Sequence, residues 1–142
     1  MPKLSPAREE VPFLPGLQLL SRGKVRDTYN LGDYELLVVA SDGISIFDFV
    51  LDELIPEKGQ VLTALTHLWL KKLDDFGLPH HLIAAVAAID PFLPEALRGN
   101  PELLSRSLVV QRLDMTAVEF VFRANLTGSG RKEYQVGGTV CG

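Results

Sequence analysis

The chain has 142 residues, of which 46% are hydrophobic and 23% are charged, and its formal net charge is −4. This length and hydrophobic content are typical of one globular domain and argue against a disordered chain. The negative charge excludes an overall basic field for nucleic acid, and the single cysteine, Cys141, excludes an internal disulfide and a cysteine-rich zinc site.

The distribution of apolar residues also argues against a membrane protein. The longest apolar run, Leu82 to Ile89, is far shorter than the roughly 20 residues that a helix needs to cross a bilayer. Residues 1 to 10 contain no apolar segment of the kind found in secretory signals. We therefore expect a cytoplasmic protein that has neither a membrane nor a nucleic acid as its partner.

Residues 1 to 16 contain four prolines among charged residues, which predicts an irregular leader ahead of one domain at 17–142. Three short runs follow: Leu17 to Leu20, Val25 to Leu31 and Tyr34 to Ala40. They are rich in β-branched or aromatic residues and are separated by glycine- and asparagine-containing turns. This pattern predicts an antiparallel meander.

From Val61 onward, apolar residues recur at steps of three and four, which predicts an amphipathic helix that ends near Phe76-Gly77. Thr63, Thr66, Lys71 and Lys72 lie off its apolar face, which consists of Val61, Leu62, Leu65, Leu68, Trp69 and Leu73.

Beyond the helix, His81 to Ile89 predicts a strand and Pro94 to Leu104 predicts at most short helical pieces. Leu108 to Leu113 and Ala117 to Arg123 predict two further strands joined by Asp114 to Thr116. The expected class is therefore α+β, with an antiparallel sheet and packed helices.

A first candidate site lies at Arg22 to Asp27, where Gly23, Lys24 and Arg26 fall between two predicted strands. If alternate residues share a face, Lys24 and Arg26 point the same way, as a polyphosphate site requires. A solvated hairpin is the alternative, and composition alone favours it. The spacing matches neither the phosphate loop nor the dinucleotide fingerprint.

Two further segments carry polar groups. Ser41 to Asp48 follows an apolar strand and starts a predicted loop, in which Asp42 and Ser45 either bind a ligand or only form a local turn. Arg123 to Lys132 collects three cations, two hydroxyls and two glycines, which suits either an anion pocket or a flexible exposed loop. His67, His80 and His81 have no third ligand at metal-binding spacing, so no metal site is predicted.

Taken together, four segments resemble the phosphoribosylaminoimidazole-succinocarboxamide synthase (SAICAR synthetase) family. They are Gly23 to Tyr29, Ser41 to Asp48, Ile55 to Gly59 and, most specifically, Leu126 to Gly142. The resemblance implies an ATP-grasp-like or kinase-like α+β fold in which a nucleotide lies between two lobes. Residues 17–142 would form the amino-terminal lobe and the start of the second lobe.

The resemblance implies a nucleotide site built from five residues. Gly23, Lys24 and Arg26 would meet the ATP phosphates, and the two cations would also neutralise charge during the reaction. Gln111 and Leu113 would lie beside the adenine, because the strand ending near them matches the connection between the lobes.

It also implies a site for the imidazole ribonucleotide. Arg123, Ser129 and, less surely, Lys132 match positions that hold its phosphate, and Asp42 and Ser45 match positions nearer its ring. The implied reaction joins L-aspartate to carboxyaminoimidazole ribonucleotide (CAIR) through an acyl phosphate, using ATP and Mg²⁺. A homo-oligomer is compatible with the family.

The sequence departs from the family pattern in several places. Gly43 stands where most relatives carry arginine, Arg131 replaces a usual tryptophan, and Ala124-Asn125 replaces a glycine-tyrosine pair. The family continues past the position of Gly142 into a part that supplies the magnesium-binding carboxylates. We therefore expect the chain alone to be a poor catalyst. It is either part of a ligase completed elsewhere or an inactive nucleotide-binding fragment.

Overall fold

The structure, a computed structural model, describes residues 14–46, 49–118 and 124–140. Within them, a five-stranded antiparallel sheet is accompanied by a separate two-stranded hairpin and by helices, so the α+β prediction is confirmed. The predicted leader lies outside the described residues except for Leu14 to Gly16, of which Leu14 is buried in the core. No described helix is both long and apolar enough to span a membrane.

The predicted meander is confirmed: β1 (Gln18–Arg22), β2 (Arg26–Asn30) and β3 (Glu35–Ala40) pair antiparallel in sequence order. The sheet is completed by β6 (Leu82–Ala85) and β7 (Ser107–Gln111). The strand order is β1-β2-β3-β7-β6, so β7 inserts between β3 and β6. β3 is therefore the central strand.

One face of the sheet carries the main core. Alternate residues of a strand share a face, and so Leu37 and Val39 of β3 are both buried, at 0% and 1% exposure. The other buried apolar residues of this cluster are Leu14, Leu17, Tyr29, Ala84, Ile89, Leu93, Leu97, Leu103 and Val109. Several of them come from the segment between β6 and β7, which therefore closes over this face.

For the segment between β6 and β7, the predicted strand is wrong in its second half, and the predicted short helical pieces are confirmed. The strand expected over His81 to Ile89 ends at Ala85, and Val86–Phe92 forms a 3₁₀ helix that buries Ile89. A short apolar run fits a strand or a buried turn equally well, and periodicity alone does not separate them. The short helical pieces expected next are present, as Glu95–Leu97 and as α2 (Pro101–Arg106).

The strand predicted at Leu108 to Leu113 is confirmed as β7, although it ends at Gln111. Of the strand predicted at Ala117 to Arg123, residues 117 and 118 are not in a strand, and residues 119–123 lie outside the described part of the chain.

Helix α1 spans Lys58–Asp75 and is followed by Phe76 and by Gly77 in the left-handed conformation, so the predicted helix and its end are confirmed. Its orientation is the unexpected feature. An amphipathic helix usually buries its apolar face, but the buried residues of α1 are Gly59 and Thr63.

Four residues of the predicted apolar face are exposed: Val61, Leu65, Leu68 and Trp69 are 55%, 46%, 50% and 62% exposed. Leu62 and Leu73 are half-buried. Close packing explains this orientation. A Cβ atom on Gly59 would lie only 2.7 Å from the carbonyl oxygen of Ala40, so the helix approaches β3 with its narrowest side. The face that carries Gly59 and Thr63 therefore lies against the sheet.

Two predicted loops are regular elements. The segment after β3 forms a hairpin of β4 (Gly43–Ile46) and β5 (Phe49–Leu54), and residues 47 and 48 lie outside the described residues. Gly128–Gly137 forms α3, so of the two alternatives for Arg123 to Lys132, the flexible exposed loop is wrong from Gly128 onward. Helix formers such as Lys132, Glu133 and Gln135 continue the helix once it has started, which outweighs its two early glycines.

Candidate functional site

The turn between β1 and β2 carries the predicted cations. The amide of Gly23 donates to the carbonyl of Arg26 at 2.7 Å, and a Cβ on Gly23 would lie 2.8 Å from that same oxygen. Only glycine fits this close approach. Lys24 lies in the turn and Arg26 begins β2, so the expectation that they share a strand face is wrong, although both side chains are exposed.

An ion pair between an exposed arginine and a buried aspartate holds the base of this turn. The carboxylate of Asp27 is 1% exposed and accepts from the guanidinium of Arg22, with N···O distances of 3.2 and 3.1 Å. The two residues face each other across β1 and β2. The pair therefore closes the turn at the point where the two strands meet.

Arg26 also borders a small cavity on the second face of the sheet. The cavity has a volume of about 140 Å³, and its walls come from β3, β7, α1 and the start of β6: Val38, Ala40, Thr63, Thr66, His81, Leu108 and Val110. A guanidinium at the edge of an apolar hollow suits a ligand with a flat apolar part and an anionic part.

Gln111 and Leu113, the two residues expected beside an adenine, follow Val110 closely in the chain but do not line this cavity. Gln111 ends β7, and its amide donates to the carbonyl of His81 at 2.7 Å. Leu113 lies past the end of the strand and is 50% exposed.

Ser41 joins the turn between β1 and β2 that carries Lys24 and Arg26, called the cation turn below, to the segment that follows β3. Its amide and its hydroxyl both donate to the carbonyl of Val25, at 3.0 and 3.2 Å, and its hydroxyl accepts from the amide of Gly43 at 3.3 Å. Ser41 is 1% exposed. The tip of the first hairpin and the base of the second are thus held by one buried residue.

Asp42 is the most highly connected of the predicted site residues. Its carboxylate accepts from the amide of Gly59 at 2.9 Å and from both terminal nitrogens of Arg106 at 3.3 Å. Burial is the largest single effect and opposes ionisation, but the hydrogen bonds from Gly59, Arg106 and Glu57 together outweigh it. The pKa of Asp42 is therefore below its ordinary value, and the side chain is an anion at neutral pH.

Gly43 and Ser45 lie in β4. The carbonyl of Gly43 accepts from Nζ of Lys58 at 2.8 Å, so the start of β4 is tied to the start of α1. Ser45 is half-buried and pairs with Val50 of β5.

Two of the three residues predicted to bind the ribonucleotide phosphate, Ser129 and Lys132, lie on α3. Ser129 and Lys132 are exposed on the first turns of α3, and α3 does not pack extensively on any other described element. Arg123 lies outside the described residues. Within the described ranges no group of three or more histidine, cysteine, aspartate or glutamate residues is arranged to hold a metal ion.

Sequence reasoning missed Arg106 and Lys58. A local signal did mark the start of α2, because the side chain of Asn100 caps it and Pro101 opens it. Nothing in the sequence indicated that the arginine at the end of α2 reaches Asp42, because the two residues are distant in the chain.

Comparison with known proteins identifies the family. The family model described as SAICAR synthetase matches residues 19–140. The phosphoribosylaminoimidazole-succinocarboxamide synthase of Bordetella petrii is 50% identical over 129 residues, which cover 91% of this chain and 42% of that protein. The enzyme of the same name from Mycobacterium ulcerans is 47% identical over 131 residues, covering 92% of this chain and 40% of that protein.

A solved structure agrees. The SAICAR synthase of Saccharomyces cerevisiae, complexed with SAICAR, matches with a TM-score of 0.81 and 39% identity, over 89% of this chain and 44% of that chain. The chain therefore spans less than half the length of these relatives. The family model, the sequence identities and the shared fold agree with one another, and the chain belongs to the SAICAR synthetase family.

Proposed function

We propose that this chain supplies binding elements of an ATP-dependent carbon–nitrogen ligase of purine biosynthesis. The ligase joins L-aspartate to CAIR and releases SAICAR, ADP and phosphate. Membership of the family and the similarity to a yeast enzyme whose structure contains SAICAR support this proposal. A cytoplasmic location, small-molecule substrates and the absence of nucleic-acid and membrane partners are parts of the same proposal.

The proposed chemistry has two steps. A carboxylate oxygen of CAIR attacks the γ-phosphorus of ATP, which breaks the bond to the ADP oxygen and forms an acyl phosphate. The amine of aspartate then attacks the acyl carbon, the amide bond forms, and phosphate leaves. Positioning and charge neutralisation contribute most to phosphoryl transfer.

The cation turn is the observation that carries the nucleotide assignment. Gly23 brings the backbone into close approach, and Lys24 and Arg26 are exposed at the turn and at the start of β2. Arg26 also borders the apolar cavity. In the proposal, the two cations bind the ATP phosphates and stabilise the charge that develops on them. Gln111 and Leu113 would then border the adenine.

The ribonucleotide would bind on the other side of Ser41, with its ring near Asp42 and Ser45. Its phosphate would bind Arg123, Ser129 and Lys132, for which the exposed position of Ser129 and Lys132 is suitable. Arginine can hold a phosphate through two parallel hydrogen bonds, which lysine does not reproduce.

Magnesium belongs to the reaction that the family implies, but the described residues do not fit it. No three potential ligands come together there, and Mg²⁺ requires several oxygen ligands in octahedral geometry. No step is therefore assigned to a metal held by this part of the chain.

The same observation favours a second candidate function, that of a nucleotide-binding fragment without catalytic activity. Among the described residues, no three potential ligands come together to hold the Mg²⁺ that the ligase reaction requires. In this case the cation turn would still bind ATP.

A coupled assay of ADP release tests both candidates. It contains ATP, Mg²⁺, L-aspartate and CAIR, and it is run on this chain alone and on this chain fused to the remaining part of the B. petrii relative. We expect turnover of the fused form that requires both aspartate and CAIR. ATP binding is measured beside it by calorimetric titration. ATP binding without turnover in either form would favour the fragment, and the absence of ATP binding would refute both candidates.

A further inference from the structure

Arg106 lies at the end of α2 and links this helix to the end of β3 and to Asp42, which lies between β3 and β4. Its side chain is 11% exposed, and it contacts Asp42, the carbonyl of Ala40 at 3.5 Å and Glu102 at 3.1 Å. Both terminal nitrogens point at the Asp42 carboxylate, one at each oxygen. A planar fork of this kind fixes the orientation of a carboxylate as well as its position.

Most of the acceptor capacity of Asp42 is occupied within the chain. An ionised carboxylate offers about four lone-pair sites. Three hydrogen bonds reach them, one from the amide of Gly59 and two from the terminal nitrogens of Arg106. Asp42 is therefore better suited to holding the chain than to contacting a ligand.

The second hairpin needs such an anchor. Apart from the pairing of β4 with β5, no described element packs extensively on it, and an isolated two-stranded hairpin is marginally stable. Its base is held by the amide of Ile55, which donates to the carbonyl of Asp42 at 2.9 Å, and by Lys58, which donates to the carbonyl of Gly43 at 2.8 Å. The orientation of Asp42 therefore constrains the direction in which the chain continues from β3 into β4.

We infer that Arg106 is a positioning residue that acts through Asp42 to orient Gly43–Ser45 towards the ribonucleotide. This inference rests on the proposed function, because it requires that Ser45 serves the ribonucleotide site. It assigns Asp42 a supporting role, whereas the family resemblance suggested contact with the substrate ring. The nucleotide site should depend less on Arg106, because the cation turn is also held by the Arg22–Asp27 pair across β1 and β2.

The test is a double-mutant cycle measured by calorimetric titration of the 142-residue chain with SAICAR and, separately, with ATP. Arg106→Gln should weaken SAICAR binding by about tenfold, which is typical for the loss of a charge-assisted contact, and should change ATP binding less than about twofold. Ser45→Ala should weaken SAICAR binding in the parent but add little in the Arg106→Gln background, because coupled residues are not additive.

Two variants complete the design. Glu102→Gln removes only the exposed partner of Arg106 and should leave both affinities unchanged. Arg106→Lys keeps the charge but not the fork, and should weaken SAICAR binding by about threefold. If Arg106→Gln shows no cooperative thermal unfolding, the cycle is measured with Arg106→Lys in its place.

The outcomes separate the inference from the proposed function. If the parent binds SAICAR but the effects of Arg106 and Ser45 are additive, Arg106 does not act through the β4 segment and the inference is wrong. Equal weakening of ATP and SAICAR would also contradict it. A parent chain that binds neither ligand would refute the proposed function, and the inference with it.

Discussion

Gly59 gives the sharpest test of the packing between α1 and the sheet. We expect Gly59→Ala to destabilise the chain even though alanine is the better helix former. The added Cβ would lie 2.7 Å from the carbonyl oxygen of Ala40, 3.1 Å from its carbonyl carbon and 3.2 Å from the Asp42 carboxylate. Two of these atoms belong to the backbone of the central strand, so α1 would have to move.

The magnitude follows from three effects. Overpacking at a tight contact costs about 1 to 3 kcal/mol, and weakening the hydrogen bond from Gly59 to the charged Asp42 costs up to about 1.5 to 3 kcal/mol. The higher helix propensity of alanine offsets about 1 kcal/mol of this loss of stability. The free energy of unfolding should therefore fall by roughly 2 to 4 kcal/mol, which lowers Tm by on the order of 10 °C in a domain of this size.

Thermal and urea unfolding followed by circular dichroism measure this change. Gly130→Ala in α3 is the matched control, because it is also near the start of a helix and its Cβ would have no neighbour closer than 3.7 Å. It should be neutral or stabilising by up to about 1 kcal/mol. A Gly59→Ala chain that is as stable as the parent would show that the close approach of α1 to β3 is not required.

Three further predictions concern the site and the exposed helix face. Lys24→Ala and Arg26→Ala should each weaken ATP binding by about 1.5 to 3 kcal/mol in calorimetric titration without lowering Tm, because both side chains are exposed at the proposed phosphate site; unchanged ATP affinity in both variants would contradict the assignment of the turn. Because the pKa of Asp42 is lowered in the folded chain, its ionised form stabilises the fold above about pH 4, and this contribution is lost as the pH falls further. Asp42→Asn should therefore flatten the fall in stability below pH 4, and an unchanged pH profile of urea unfolding would count against the network. Leu65→Gln combined with Leu68→Gln should change the free energy of unfolding by less than about 1 kcal/mol and reduce binding of a hydrophobic dye, because both side chains lie outward; a large loss of stability would mean that this face is buried.

The elements that the sequence predicted well depend on local signals. β1, β2 and β3 have short alternating runs with glycine and asparagine turns between them, and α1 has a clear helical period and a glycine end. Each of these signals acts within a few residues. The same reasoning failed for α3, in which two early glycines resemble a loop although the residues after them favour a helix.

The orientation of α1 and the surroundings of Asp42 were not predictable, and for the same physical reason. A helical period shows which side of α1 is apolar, but Gly59 decides which side reaches the sheet, because only a residue without a side chain allows contact with Ala40. Similarly, Asp42 in a polar segment resembles a ligand-binding residue or a turn. Its contact with Arg106 depends on how α2 packs, and no local pattern encodes that packing.

The insertion of β7 between β3 and β6 has a consequence for folding kinetics. The meander can form from neighbouring segments. The pairing of β3 with β7 is long-range, because β4, β5, α1, β6 and α2 lie between the two strands in the chain. Until this pairing forms, β3 is an apolar edge strand whose unpaired amides and carbonyls can bind another chain. Closure of this long-range pairing should limit the folding rate, and in native-state hydrogen exchange the amides that join β3 to β7 should report the slowest opening of the sheet.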